Sequence, residues 1–168
     1  MCGIIGGIHK KNITPLLIDG LKRLEYRGYD SAGAVVISAE NKFNRARSVG
    51  KVANLERKIN VNKTKIVGNT GIAHTRWATH GEPSSKNAHP HISNGTVSIV
   101  HNGIIENYAE LKKSQESAGY KFTSDTDTEV IAHEIHDKLK GDVDLLTATL
   151  NAIKSFEGAY GLAVLSSK

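Results

Sequence analysis

The sequence MCGIIGGI at residues 1–8 places a short apolar run, without polar alternation, at the very start of the chain. Such a run predicts a buried β-strand, because a half-exposed strand alternates apolar and polar residues. Its glycines lack the spacing of a phosphate-binding loop, and no adjacent Gly-Lys-Ser/Thr accompanies them. We therefore expect the glycines to let neighbouring backbones pack closely in a buried strand.

Outward from this strand, strands and helices follow in adjacent runs. Thr14 and Pro15 predict an N-cap and a first helical position, and Gly28 predicts the end of that helix. Further strands are predicted at 33–38, 43–49, 70–76, 96–102 and 160–165, with a loop too polar for the core between the third and fourth of them. Further helices are predicted at 55–59, 105–119, 145–153 and after a capping-box pattern at 126–129. Adjacent strands and adjacent helices favour an α+β fold with two packed sheet layers covered by helices.

Composition limits the class of protein. The chain has 168 residues, a formal net charge of +5 and 5% aromatic residues, and its Lys and Arg are scattered among acids. Scattered charge and few stacking rings disfavour nucleic-acid binding. No apolar run approaches the roughly 18 residues that a membrane span needs, and one cysteine cannot form an internal disulfide. We therefore expect one cytoplasmic domain that binds neither nucleic acid nor membranes.

Cys2 is the first residue that suggests chemistry. Cysteine is small enough for the initiator Met1 to be removed, which would leave a free α-amine beside the thiol. An α-amine has a reference pKa of about 8 and a thiol of about 8.5, so the neutral amine could take the thiol proton through water. The alternative is that Cys2 is a small buried hydrophobic residue at the start of a strand.

The histidines raise a second question, that of a metal site. Five of the eight lie between His74 and Asn102, including the pair His89 and His91 on either side of a proline. No acidic or thiol ligand accompanies that pair, and the i, i+2 spacing in a loop is a weak metal signal. We therefore expect no metal site and no cofactor.

Six motifs, in order, resemble one family. They are MCGIIGGI at residue 1, RLEYRGYDSAG at 23, HTRWATHGEPS at 74, NAHPH at 87, VHNGIIENY at 100 and SDTDTEV at 124. Together they resemble the glutaminase domain of the glutamine:fructose-6-phosphate aminotransferase (glucosamine-6-phosphate synthase) family, a class II glutamine amidotransferase. Amidophosphoribosyltransferase, the nearest competitor, would be expected to show RGQ at 27–29 and Tyr in place of Trp77. The resemblance implies a four-layer αββα sandwich, the N-terminal-nucleophile hydrolase fold.

The resemblance also implies site residues. Cys2 would be the nucleophile, with the Asn102 amide and the Gly103 N–H as donors to the developing oxyanion. Arg76 would bind the α-carboxylate of glutamine and Asp127 its α-ammonium. The remaining assignments are a covering loop formed by Trp77, Thr79 and His80, a supporting Arg27 that helps hold the N-terminal Cys, and at most supporting roles for His89 and His101.

Domain organisation follows from the same resemblance. Residues 1–168 would form one glutaminase domain, incomplete at its C-terminus and without the two sugar-isomerase domains of the full-length enzymes. Glutamine would be the substrate, and the full-length enzyme would be a homo-oligomer. A rival hypothesis is a non-catalytic module that binds glutamine without turning it over.

Overall fold

Two antiparallel sheets form the centre of the molecule. The computed structural model describes residues 2–61, 66–78 and 81–168, with the side chain of Arg27 outside that description. The first sheet has the order β1-β4-β2-β3 and the second the order β5-β6-β7, and every pairing is antiparallel. The strands are β1 (Gly3–Ile8), β2 (Ser31–Ile37), β3 (Phe43–Val49), β4 (Thr70–Arg76), β5 (His91–Ser93), β6 (Val97–Gly103) and β7 (Tyr160–Ser166).

Helices cover the outer face of each sheet. The helices are α1 (Thr14–Leu24), α2 (Val52–Val61), α3 (Tyr108–Ser117), α4 (Glu129–Lys138) and α5 (Leu145–Ala152). The first two pack on the first sheet and the last three form the apolar cluster of the second sheet. A third, small cluster around Val35, Ile72 and Val100 lies between the sheets. These layers confirm the αββα sandwich. No helix in the described part of the chain is long and apolar enough to cross a membrane.

The glycines of β1 allow the close packing that the sequence predicts. A Cβ added at Gly3 would lie 2.6 Å from Leu24 Cδ1 and 2.9 Å from Thr75 Oγ1. The strand therefore approaches both α1 and its neighbour β4 more closely than a side chain would permit. This contact seats the chain terminus against β4.

The prediction of a loop too polar for the core between β4 and β6 holds for residues 81–86, which are mostly exposed, but is wrong for residues 87–91. Residues 87–91 are buried, and the last of them begins β5, a strand that the sequence pattern did not reveal. The segment can be buried because arginines of β3 satisfy its backbone: Arg47 donates to Ala88 O at 3.0 Å and Arg45 donates to Pro90 O at 3.2 Å. Polarity excludes a segment from the core only when its polar groups lack partners.

Two helix caps also differ from the prediction. Thr14 is the first helical residue rather than the N-cap, and its hydroxyl donates to Ile66 O. The capping box at 126–129 does not form. The buried carboxylate of Glu129 accepts instead from Thr123 N at 3.0 Å and Ser124 N at 2.7 Å. Both side chains fix a neighbouring loop instead of their own helix end.

We predict that Gly33→Ala destabilises the fold by about 1–3 kcal/mol, because a Cβ at this position in β2 would collide with the backbone oxygen of His89. Urea unfolding measures the change. Gly161→Ala is the matched control, since Gly161 also lies in a strand but a Cβ there would meet nothing within 4 Å. Equal unfolding midpoints for the two variants would contradict the close approach of the 87–91 segment to β2.

Candidate active site

Cys2 lies at the edge of a cavity rather than in the apolar core. Its sulfur accepts a hydrogen bond from Trp77 N at 3.1 Å and lies 3.6 Å from Trp77 O. The pairing of β1 with β4, with Gly3 opposite Thr75, brings these two residues together. The cavity beside the sulfur has a volume of about 410 Å³. A half-buried thiol on a cavity fits a reactive residue better than a structural one.

The cavity gathers most of the residues that the sequence motifs single out. Its walls are formed by Cys2, Arg76, Trp77, His89, His101, Gly103, Ile104, Thr126, Asp127 and Thr128. Asn102 is not among these wall residues, but it contacts Cys2 directly. Thr79, His80 and the side chain of Arg27 lie outside the described residues.

Asn102 joins the two sheets beside Cys2. Its Nδ2 donates to the backbone oxygen of Cys2 at 3.3 Å, and its Oδ1 accepts from His74 Nε2 at 2.7 Å. A carboxamide nitrogen carries two hydrogens, and the Cys2 carbonyl takes one of them. Asn102 is thus held from both ends, with its donor end at the start of the chain.

Gly103, the last residue of β6, requires glycine for two reasons. Its φ of 133° lies in a region that other residues rarely adopt, and a Cβ there would collide with Ala159 O. The backbone of Gly103 is therefore exposed to the cavity without an intervening side chain. An N–H at such a position can approach a ligand closely.

Arg76, at the end of β4, is 4% exposed and is held by the loop that follows it. Its guanidinium donates to Gly81 O at 2.9 Å and to Glu82 O at 3.4 Å. Asp30 Oδ1 lies 3.6 Å from the same group, and Asp30 Oδ2 also accepts from Ala78 N. These contacts orient a planar cation at the cavity wall, which suits a carboxylate ligand.

Asp127 supplies the negative charge on the wall that belongs to the second sheet and its helices. The side chain is 3% exposed, and its Oδ2 accepts from Ile105 N at 2.9 Å. Arg76 and Asp127 therefore present one cation and one anion to the same cavity. A free α-amino acid carries the complementary pair of charges.

The residues on either side of Asp127 are tied to buried histidines. Thr126 Oγ1 lies 3.3 Å from His91 Nε2, and Thr128 Oγ1 lies 3.1 Å from His89 Nε2. The His-Pro-His and Thr-Asp-Thr segments therefore pair side by side, and Asp127 lies between two anchored neighbours. Both segments show an i, i+2 pattern in the sequence, but the sequence does not reveal that the histidines of one contact the threonines of the other.

The hydrogen bonds also assign tautomers in this cluster. The backbone N–H of His101 donates to His89 Nδ1 at 3.4 Å, so that nitrogen carries no proton. His89 Nε2–H then donates to Thr128 Oγ1, and the Thr128 hydroxyl can donate to His101 Nδ1 at 3.0 Å. One hydroxyl thus connects two neutral imidazoles and fixes both rings.

Burial keeps the histidines of this cluster uncharged. It lowers the pKa of His74 to about 4 and those of His89 and His91 well below the ordinary value, with further lowering from neighbouring histidines and arginines. The rings of His74 and His89 pack against each other at a tilt of 32°, with centroids 4.2 Å apart. Within the described ranges, no group of three or more His, Cys, Asp or Glu is arranged to hold a metal ion.

Trp77 lies over the backbone of Gly28, at the mouth of the cavity. Its side chain is 53% exposed, and a Cβ at Gly28 would lie 2.9 Å from Trp77 Cζ3. Gly28 has a φ of 73° and ends the turn after α1. This glycine therefore provides the flat surface on which the indole rests.

The sequence is similar to a described domain family and to several enzymes. Residues 74–168 match the glutamine amidotransferase domain family. The chain is 57% identical over 167 residues to the isomerizing glutamine--fructose-6-phosphate aminotransferase of Pseudomonas aeruginosa, covering 99% of the chain and 27% of that enzyme. It is 52% identical to the Haemophilus influenzae enzyme of the same name, covering 100% of the chain and 27% of the enzyme. The chain thus spans about a quarter of the length of these relatives.

Solved structures show the same fold. The glutamine phosphoribosylpyrophosphate amidotransferase from B. subtilis, complexed with ADP and GMP, superimposes with a TM-score of 0.75 at 29% identity, over 99% of this chain and 35% of that one. A structure described as the allosteric regulatory enzyme of purine biosynthesis gives 0.79 at 27% identity, over 98% and 36%. Both carry the N-terminal-nucleophile fold that the sequence motifs imply.

We predict that stability falls as the pH is lowered from about 6.5 toward 4. In this window the unfolded chain binds protons on His74, His89 and His91 that the folded chain excludes, because their folded pKa values are depressed. Each such histidine contributes a slope of up to about 1.4 kcal/mol per pH unit. Urea unfolding between pH 7 and 5.5 measures the slope of the free energy of unfolding against pH. His91→Gln should reduce this slope by the contribution of one histidine. A free energy of unfolding that stays flat over this range would contradict neutral burial.

Proposed function

The chain belongs to the class II glutamine amidotransferase family, and on that premise we propose that it hydrolyses glutamine to glutamate and ammonia through Cys2. One observation supports this proposal above the others. The sulfur of Cys2 borders a cavity that also presents the cation of Arg76 and the anion of Asp127. A nucleophile beside a binding site for a free amino acid is the arrangement that glutamine hydrolysis requires.

The first step forms a bond between the Cys2 sulfur and the side-chain carboxamide carbon of glutamine. Removal of Met1 leaves an α-amine that accepts the thiol proton, so no other base is needed. The carbonyl electron pair moves onto oxygen, and we assign the resulting negative charge to the Asn102 amide and the Gly103 N–H. The Trp77 N–H donates to the sulfur at 3.1 Å and so helps to hold it at the edge of the cavity.

The second half of the reaction restores the enzyme. The carbon–nitrogen bond breaks, the α-ammonium of Cys2 gives its proton to the leaving nitrogen, and ammonia departs. Water then adds to the γ-glutamyl thioester, the carbon–sulfur bond breaks, and glutamate leaves with the thiol regenerated. The same amine acts as base and then as acid.

Recognition divides between the two walls of the cavity. We assign the α-carboxylate of glutamine to Arg76 and its α-ammonium to Asp127. Trp77, Thr79 and His80 are proposed to cover the bound glutamine, and Arg27 is proposed to help hold the N-terminal Cys2. The packing of the Trp77 indole against Gly28 at the mouth of the cavity supports the covering role proposed for Trp77.

The larger relatives suggest where the ammonia goes. We propose that this domain supplies it for the synthesis of glucosamine-6-phosphate from fructose-6-phosphate, in a homo-oligomeric cytoplasmic enzyme that also has sugar-isomerase domains. Identities of 52–57% to the fructose-6-phosphate enzymes, against 27–29% to the amidophosphoribosyltransferase-like structures, favour this acceptor over the alternative.

We predict that the chain with a free N-terminal Cys2 releases glutamate from glutamine and that Cys2→Ala releases none but still binds glutamine. Mass spectrometry identifies the N-terminus, and a glutamate assay measures turnover. Protein that retains Met1 should be inactive, because its amide nitrogen is not a base. Full activity in protein shown to keep Met1 would sink the mechanism. Calorimetric binding without turnover in the free-Cys2 chain would favour the non-catalytic glutamine-binding module instead.

We predict that Asp127→Asn weakens glutamine binding at least about tenfold, because a hydrogen bond to a charged group contributes about 1.5–3 kcal/mol. The asparagine oxygen can still accept from Ile105 N, so the fold should survive. Calorimetry in the Cys2→Ala background avoids turnover. The control ligand is 4-carbamoylbutanoate, which is glutamine without its α-amine, and its affinity should change little. Equal losses of affinity for both ligands would show that Asp127 does not bind the α-ammonium group.

A further inference from the structure

His74 connects the two sheets at the proposed nucleophile without lining the cavity itself. It lies on β4 and is fully buried, and its Nε2 lies 2.7 Å from Oδ1 of Asn102 on β6. This bond joins residues 28 positions apart in the chain. The other end of the same amide donates to the backbone oxygen of Cys2.

The bond selects one of two orientations of the Asn102 amide. Oδ1 can only accept, so His74 must carry its proton on Nε2. A neutral imidazole has one N–H, which leaves Nδ1 bare. No hydrogen bond of good geometry reaches Nδ1 of His74 among the described residues, although the backbone of His101 lies close enough to raise the pKa of the ring. If the amide turned over, its NH₂ group would face the Nε2–H, donor against donor. His74 therefore keeps the NH₂ end of Asn102 turned toward Cys2.

The surroundings of His74 preserve this arrangement. Burial lowers its pKa to about 4, outweighing the raising effect of the hydrogen bond with Asn102, so the ring is neutral near pH 7. The ring also packs against His89 at a tilt of 32°, with centroids 4.2 Å apart, which restricts its rotation. A side chain enclosed in this way cannot reach a substrate, so any effect on the reaction must pass through Asn102.

We propose that His74 is a positioning residue of the glutamine hydrolysis proposed above, holding the Asn102 amide so that its N–H meets the oxygen that becomes negative. The inference rests on that proposed function. It adds a residue whose contribution appears in the chemical step and not in glutamine binding, because the oxyanion exists only after the sulfur has attacked.

Steady-state kinetics of two variants, His74→Leu and His74→Gln, test the proposal. His74→Leu removes the donor, while His74→Gln keeps an N–H near the position of Nε2. We expect kcat to fall about 10- to 100-fold in His74→Leu, less than the 10²–10³ expected for loss of the Asn102 donor itself, with KM changed less than about threefold. His74→Gln should recover a large part of the loss. Equal losses in both variants, or a loss confined to KM, would overturn the proposal.

His133→Leu is the matched control for loss of a buried histidine. His133 is 3% exposed, and its Nδ1 lies 2.8 Å from Ser93 Oγ, a contact of similar length away from the cavity. We expect this variant to lose stability and to keep kcat within about threefold. A fall in kcat equal to that of His74→Leu would mean that general loosening of the fold explains both.

A double-mutant cycle with Asn102→Ala separates action through Asn102 from a structural effect. If His74 acts only by orienting that amide, His74→Leu should lower kcat no further once Asn102 is alanine. Additive losses would assign His74 a purely structural role. Alkylation of Cys2 by iodoacetamide, which displaces iodide without forming an oxyanion, should proceed at the same rate in wild type and His74→Leu.

An NMR measurement tests the orientation without any turnover. The ¹⁵N chemical shifts of the His74 ring in the Cys2→Ala chain should show a protonated Nε2 and a bare Nδ1. The opposite tautomer would overturn the proposal, because Asn102 would then present its NH₂ to His74 and its oxygen to Cys2. If the wild-type chain releases no glutamate while the expected tautomer is found, the proposed function fails and the orientation of Asn102 stands.

Discussion

The antiparallel register of β1 against β4 is the constraint on which the rest of the site depends. Because Gly3 lies opposite Thr75, Cys2 lies close to Trp77, and the backbone N–H of Trp77 donates to the Cys2 sulfur. A slip of one residue would turn every β1 side chain to the other face of the sheet. It would also move the backbone oxygen of Cys2 away from Asn102, whose Nδ2 donates to it. The close packing at Gly3 leaves little room for such a slip.

A buried polar layer between the sheets converts this register into a site. Burying imidazoles is unfavourable unless they are neutral and most of their polar atoms are paired. Thr126, Thr128 and Asn102 supply those partners for His91, His89 and His74. The side-chain atoms left without a partner in this layer, within the described residues, include Nδ1 of His74 and of His91. An apolar core is held by the shapes of its side chains, whereas this layer is also held by directional hydrogen bonds. These bonds fix the orientation of individual rings and amides as well as the spacing of the sheets.

Sequence reasoning predicted the elements that depend on local pattern. The strands β1, β2, β3 and β4 were all predicted close to their observed bounds, and the six motifs identified the fold. The burial of 87–91 could not be predicted, since it depends on Arg45 and Arg47 from a distant strand. The capping box failed for a related reason: Glu129 finds better donors at Thr123 and Ser124 than at its own helix end. The contact between His74 and Asn102 is likewise invisible in either motif read alone.

The proposed reaction draws on both sheets, which makes the thin layer between them part of the chemistry. The nucleophile and Arg76 belong to the first sheet, whereas Asn102, Gly103 and Asp127 belong to the second sheet and its loops. Among the described residues, the apolar packing between the sheets centres on Val35, Ile72 and Val100, with partly buried side chains such as Phe43 and Leu165 packed against them. Beside this apolar cluster, His74 and Asn102 make a hydrogen bond that joins the two sheets directly, and Asn102 donates to the backbone oxygen of Cys2. The αββα architecture thus places donor and nucleophile on separate rigid supports, and the hydrogen bonds across the interface set the distance between them.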